Sequence, residues 1–314
     1  MKERSLSALA LVIVLALAFV LKVFVSPYFF DAFITAVVVV MTYEFSKIMS
    51  KMGRYNNQEI SIIASGLMCL VIALSITFGL GFYSLLIGFA VIVFFALVSF
   101  LKDIIFKKET DLELRIRGLG ISRTSYAFKK AINTVFTLVY PALLMSMMIF
   151  LNHFELFTAA SKNFGNISLF VLLFAFLIPI FTDTFAMLMG SVFGGKKLCP
   201  KISPNKTISG AIGGALACVV LCLSVFLLFN QIESYAVILN SVNLGISNIW
   251  KLLIVSLLGS VVCQFGDILE SYFKRKADVK DSGKILPGHG GLLDRFDSYI
   301  FLVPYILIAF IIIF

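Results

Sequence analysis

Nine times along its 314 residues the chain settles into an apolar run of about twenty residues, and no other feature narrows its possible folds so far. An α-helix needs about 17 to 25 apolar residues to cross a hydrocarbon core. It also satisfies its own backbone N–H and C=O groups, which an irregular segment exposed to lipid cannot do. The runs lie near 6–25, 28–46, 60–80, 83–101, 132–151, 166–189, 210–229, 249–269 and 298–314, so the sequence predicts an all-α, polytopic transmembrane helical protein with about nine spans. Composition agrees: 14% of the residues are charged, against about 25% in a soluble domain. Met1 to Arg4 followed by an apolar run has the outline of a secretory signal, but the run is longer than an h-region of about 7 to 15 residues and is read as a retained first helix.

Lysine and arginine collect in alternate connections. With the N-terminus inside, 23 of the 26 basic residues fall in inside segments, leaving only Lys22, Lys162 and Lys251. Cytoplasmic loops carry the excess of such residues, so the N-terminus is expected in the cytoplasm. The net charge of +9 then follows from topology and from a face that attracts anionic headgroups and polyphosphates, and no nucleic acid is needed to explain it. Cys69, Cys218, Cys222 and Cys263 lie within spans and Cys199 in a loop, none at CxxC spacing. They read as packing residues, not as disulfides or a zinc site. Residues 1–131 read as N-terminal membrane helices with a cytoplasmic connector, and 132–314 as a C-terminal catalytic region, in one integral membrane domain. The connector, 102–131, reads as an interfacial segment on anionic lipid. The first four spans hold few polar atoms, and Glu44, near the inner end of the second, reads as a solvated acid.

Chemistry-bearing residues gather in the second half. The eighth run continues as CQFGDILESYFKRKADVKD, residues 263–281. If helical to Asp281, it places Asp267, Glu270, Ser271, Lys274, Asp278 and Asp281 on about a third of the circumference. That stripe begins inside an apolar span, where an ionised carboxylate is costly unless paired or metal-bound. Next, DSGKILPGHGG, residues 281–291, breaks the helix, and Gly283, Pro287, Gly288, Gly290 and Gly291 let the backbone turn and approach a ligand. A last helix is expected near Leu292, with Asp294, Asp297 and Ser298 on its first face. Carboxylates on two helix ends suit a hard cation such as Mg²⁺. His289 reads as a general base, a phosphate contact or a loop residue bonded to backbone.

An earlier loop offers a complementary set. In PIFTDTFAMLMGSVFGGKK, residues 179–197, Asp183 sits about two turns inside the sixth run, on one face with Gly190, and reads as a buried functional acid. Gly194, Gly195, Lys196 and Lys197 follow, then SPNKTISG, residues 203–210. Ser203 and Pro204 suit the N-cap and first position of a short anion-binding helix, with Lys206 and Thr207 available to phosphate. Gly210 and Gly214 have the spacing of a close helix-packing face.

The run SYFKRKADVKDSGKILPGHGGLLDRFD, Ser271 to Asp297, resembles the signature of the phosphatidate cytidylyltransferases, or CDP-diglyceride synthases. The resemblance rests on Ser271, Lys274, Arg275, Lys280, Asp281, Gly283, Pro287, His289, Gly290, Gly291, Asp294, Arg295, Phe296 and Asp297. Asp183, Phe193, Gly194, the basic pair, Ser203, Pro204, Lys206 and Thr207 form a second region of similarity. Ser209 stands where the family usually carries glutamate. The resemblance implies a membrane enzyme of phospholipid biosynthesis that condenses CTP with phosphatidic acid, giving CDP-diacylglycerol and pyrophosphate. It implies an Mg²⁺ site with a possible second cation, membrane lipid around the substrate, and a homodimer. Asp267 and Asp294 are the implied metal ligands, Asp297 or Asp281 would serve a second cation, and Lys274, Asp281, His289 and Arg295 are read as catalytic. Asp183, Lys196, Ser203, Lys206, Thr207, Ser271, Arg275, Lys280, Gly290 and Gly291 are implied in substrate binding. The site is expected on the cytoplasmic side of the cell membrane, where CTP is found. The alternatives are a CTP-dependent kinase of a polyprenol-type lipid, or an ion-coupled transporter using Asp183 and Asp267, for which no inverted repeat is visible.

Overall fold

The structure, a computed structural model, describes residues 2–105, 122–157, 167–241, 244–288 and 290–313. His289 and most of the expected interfacial connector lie outside the described residues. In chain order the helices are α1 (Lys2–Phe24), α2 (Pro27–Lys51), α3 (Gln58–Thr77), α4 (Tyr83–Ile105), α5 (Arg123–Asn152), α6 (Ile167–Phe193), α7 (Ile208–Gln231), α8 (Glu233–Ser241), α9 (Ile249–Lys276) and α10 (Leu293–Ile313). Among the described residues eight helices, all but α1 and α8, are long and apolar enough to cross a membrane, while α1 carries a shorter apolar stretch, Leu9–Phe24. The chain is a polytopic helical membrane protein, and among the described residues eight of the nine expected runs are such helices.

Packing groups the chain into two compact units, Met1–Ser146 with Lys276–Asp294, and Met147–Arg275 with Arg295–Phe314. The glycine-rich loop therefore packs with the N-terminal helices, although in sequence it sits between C-terminal ones. In the first unit, Phe45, Phe136 and Tyr140 form a cluster of rings. Pro141, which has no N–H to donate, sits in a widened π-turn of α5, Leu138–Leu143.

The first spans are less bare of polar groups than their hydropathy suggests. Asn57 donates to the Ser99 hydroxyl and to Asp103 Oδ2 at 3.2 Å, and its own N–H reaches Thr134 Oγ1 at 3.1 Å. Asn56 Nδ2 reaches Thr137 Oγ1 at 2.8 Å and its carbonyl accepts from Ser46 at 3.0 Å. Lys130 closes the set with an ion pair to Asp103 at 3.0 Å. Buried polar groups are costly without partners; here they partner one another and tie α2, α3, α4 and α5 together.

The second unit has its own ring core of Phe154, Phe170, Phe174, Phe226, Phe229 and Phe310. Against it α6 and α7 pack almost backbone to backbone. A Cβ on Gly210 would lie 2.5 Å from the Ala186 carbonyl, and one on Gly214 would lie 2.7 Å from the Thr182 carbonyl. The Gly210–Gly214 spacing is thus a helix-packing face, as expected.

Two sequence expectations are corrected. Ser203 and Pro204 do not open a short helix: Ser203–Thr207 is a strand, β2, paired antiparallel with β1, Lys197–Cys199. Proline tolerates an edge strand because no ladder bond from its nitrogen is required there, and the cap falls to Thr207, whose hydroxyl accepts from Gly210 N–H at 3.1 Å. Nor does α9 continue to Asp281. It ends at Lys276, and Asp278 takes a left-handed conformation, φ 53°, that stops a right-handed helix. Asp278 and Asp281 therefore leave the helical stripe.

Candidate active site

Close packing in the second unit brings its acids together. Gly266 lets the backbone of α10 approach α9, since a Cβ there would lie 2.8 Å from the carbonyl oxygen of Asp297. Asp267 is the next residue, so Asp267 and Asp297 lie at this close approach of the two helices. On α6, Asp183 follows Thr182, the point of closest approach to Gly214. Thr182 also donates to Ser260 at 2.9 Å. Ser298 reaches Asp183 Oδ2 at 3.4 Å, and Ser271 reaches Asp267 Oδ1 at 3.4 Å. Asp183, Asp267 and Asp297 act electrostatically on one another, with Glu270 also acting on Asp297. The cations opposing them are Lys206, 2.5 Å from Asp267 Oδ2, and Lys274, ion-paired with buried Glu270.

The hairpin holds Lys206 in place. Ile208 N–H bonds the Lys196 carbonyl at 3.0 Å, the Ser209 hydroxyl bonds the Gly194 carbonyl, and Arg275 Nε bonds the Ile202 carbonyl at 3.2 Å. Ser209, where the resemblance expects an acid, is thus a tie between the loop and the start of α7. Thr207 is buried, and its hydroxyl accepts the cap bond from Gly210 N–H, an acceptor role that leaves the O–H as a donor. Asp183 is exposed, not enclosed by packing, while Asp267 and Asp297 are half-buried; the acids remain open to a ligand. Lys196 and Arg295 are exposed, and Ser203 is half-buried in its strand.

The first unit contains the other predicted residues, Lys280, Asp281, Gly290, Gly291 and Asp294. Here Asp294 organises the loop: its Oδ2 accepts from Ser282 N–H at 2.9 Å, from the Ser282 hydroxyl at 2.9 Å and from Gly291 N–H at 2.8 Å. Gly290 has φ +82°, and a Cβ there would lie 2.6 Å from Asp294 Oδ2 and 3.3 Å from the Asp281 Cβ. The loop folds back through a bond from Leu286 N–H to the Gly290 carbonyl at 3.0 Å. Lys280 and Asp281 are exposed. Glu44, expected to be solvated, is instead buried at 1% exposure and bonded to the same loop. Hydropathy could not flag it, because its partners lie 238 to 249 positions away.

Among the described residues no three histidine, cysteine or carboxylate side chains converge tightly enough to hold a metal ion by themselves. Mg²⁺ is commonly bound through one or two carboxylates, with waters and substrate phosphates completing its shell. The oxygen donors around Asp267 fit that mode and do not fit an all-protein cage.

The fold and this site define an integral membrane protein whose C-terminal spans gather aspartates and lysines into one polar cluster. The chain belongs to the cytidylyltransferase family, whose family model matches residues 2–313. It is similar to the phosphatidate cytidylyltransferase of Staphylococcus haemolyticus, 48% identical over 133 residues, and to that of Staphylococcus epidermidis, 49% identical over 133 residues. The phosphatidate cytidylyltransferase of Staphylococcus aureus is 48% identical over 135 residues. In each case the match covers 42% of this chain and 46% of the relative, so the chain spans about half the length of these relatives.

Proposed function

We propose that the protein is a phosphatidate cytidylyltransferase: it condenses CTP with phosphatidic acid to give CDP-diacylglycerol and pyrophosphate. The observation that carries this reading is the cluster of Asp183, Asp267 and Asp297 balanced by Lys206 and Lys274, within a chain of the cytidylyltransferase family. A phosphate oxygen of the lipid forms a new bond to the α-phosphorus of CTP, and the bond from that phosphorus to the pyrophosphate oxygen breaks. Both reactants are polyanions, so positioning and charge neutralisation supply most of the acceleration. Lys206 and Lys274, which face acids of the second unit, would compensate phosphate charge there, and Arg295 and Lys196 are exposed cations of the same unit. In the first unit, Lys280 adds a further exposed cation beside Asp281. No general base is required, because a phosphate monoester has a second pKa of about 6 and is largely ionised at neutral pH.

Asp267, with Asp297 beside it, is proposed as an Mg²⁺ ligand of the second unit, and Asp294 as one of the first. Bound there, the ion would neutralise phosphate charge. The active site is proposed to face the cytoplasm of the cell membrane, with the N-terminus on that side, and the enzyme to work as a homodimer. The test is purified protein with α-phosphate-labelled CTP, phosphatidic acid and Mg²⁺. Label should enter the lipid, and withholding Mg²⁺ or phosphatidic acid should prevent it. Transfer of the γ-label alone would overturn this reading in favour of a lipid kinase.

A further inference from the structure

Glu44 lies on α2 between fully buried neighbours, Met41, Phe45 and Ile48. An acid so enclosed needs donors, and it finds them in the glycine-rich loop. Oε1 accepts from Leu292 N–H at 3.1 Å and Oε2 from Leu293 N–H at 2.7 Å. Those N–H groups open α10, where the first turn has no intrahelical acceptors and its dipole favours negative charge. At the other end of the loop, the Ser282 hydroxyl sits between Glu44 Oε2 at 3.3 Å and Asp294 Oδ2 at 2.9 Å. The loop is also shaped around this side chain. A Cβ on Gly291 would come within 2.6 Å of both Glu44 oxygens, and one on Gly283 would run into the same carboxylate.

We propose that Glu44 is a positioning residue for the reaction, a role that rests on the cytidylyltransferase reading of this loop. It pins the loop at Ser282 and again at Leu292–Leu293, and so sets where Asp294 stands. Two of the signature glycines are small because Glu44 occupies the space their side chains would need. Glutamine cannot replace it: one amide oxygen can accept, but the NH₂ group would point a donor at a donor.

The test uses the purified full chain as wild type, Glu44→Gln and Gly283→Ala, with Glu59→Gln as a control at an exposed acid paired with Lys102. Gly283→Ala presses on the carboxylate from the loop side and leaves the acid in place. Amide hydrogen exchange at Gly291, Leu292 and Leu293 should quicken about tenfold or more in both variants, while amides of α3 keep wild-type protection. Turnover number should fall about ten- to a hundredfold, with little change in KM for CTP, and the control should match wild type. Unchanged exchange at Gly291–Leu293 in Glu44→Gln, or unchanged turnover despite faster exchange, overturns the proposal. If Glu44→Gln loses protection in α3 as well, Gly283→Ala decides by the same two criteria. A wild-type protein that makes no CDP-lipid refutes the enzymatic reading, while the exchange measurement still tests the loop contact.

Discussion

Lys206 and Asp267 are a pair whose charges belong to two tasks. At 2.5 Å the ammonium neutralises an acid that already shares its surroundings with Asp183 and Asp297. If Asp267 is a metal ligand, the lysine and the ion compete for one carboxylate, and substitutions on the two sides should act in opposite directions. Lys206→Met should lower the Mg²⁺ concentration for half-maximal activity and Asp267→Asn should raise it, each by about tenfold, the equivalent of 1.4 kcal/mol. Asp267→Asn should also cut turnover about a hundredfold or more while the protein still inserts into membranes. A magnesium titration of both purified variants checks the signs; a shift in the same direction for both would remove Asp267 from the ligand set. The aspartates could be read from the sequence because an acid inside an apolar run is costly, and cost calls for a reason. Glu44 stands near a span end, where an acid is cheap, so only its distant partners reveal that it is buried.

Helices were legible because a 3.6-residue period and a run of apolar residues are local properties. Their ends were less so. The sequence SPN reads equally as a helix cap and as an edge strand, and the pairing of Ser203 with Cys199 decides for the strand. The end of α9 turns on Asp278, since aspartate enters the left-handed region more readily than most residues but does not announce it. Small-residue packing was visible in advance, and it supports a stability prediction. A side chain on Gly214 would meet the Thr182 carbonyl at 2.7 Å, so Gly214→Val should destabilise the protein by about 1–3 kcal/mol through overpacking. Thermal unfolding in detergent measures it, and Ser224→Val, at an exposed position of the same helix, should leave the midpoint near that of wild type.

At the scale of the whole chain, the asymmetry of lysine and arginine is the feature expected to orient it. A cytoplasmic N-terminus places the hairpin at Lys201 inside and the α7–α8 connection at Glu233 outside. Single cysteines at these two sites, in a background lacking Cys199, should be labelled by an impermeant maleimide from opposite faces of sealed vesicles; labelling from one face would overturn the assigned topology. The division into two units was not legible, because it depends on residues 276–294 packing with helices far upstream. That distance has a consequence for biogenesis. Glu44 leaves the ribosome 238 residues before Ser282, an interval of roughly 12 to 48 seconds at about 5–20 residues per second. For that time an acid rides on a helix already handed to the bilayer, with its donors still untranslated. The insertion machinery, water or a proton has to shelter it, and the first unit closes only after residues 276–294 have been made.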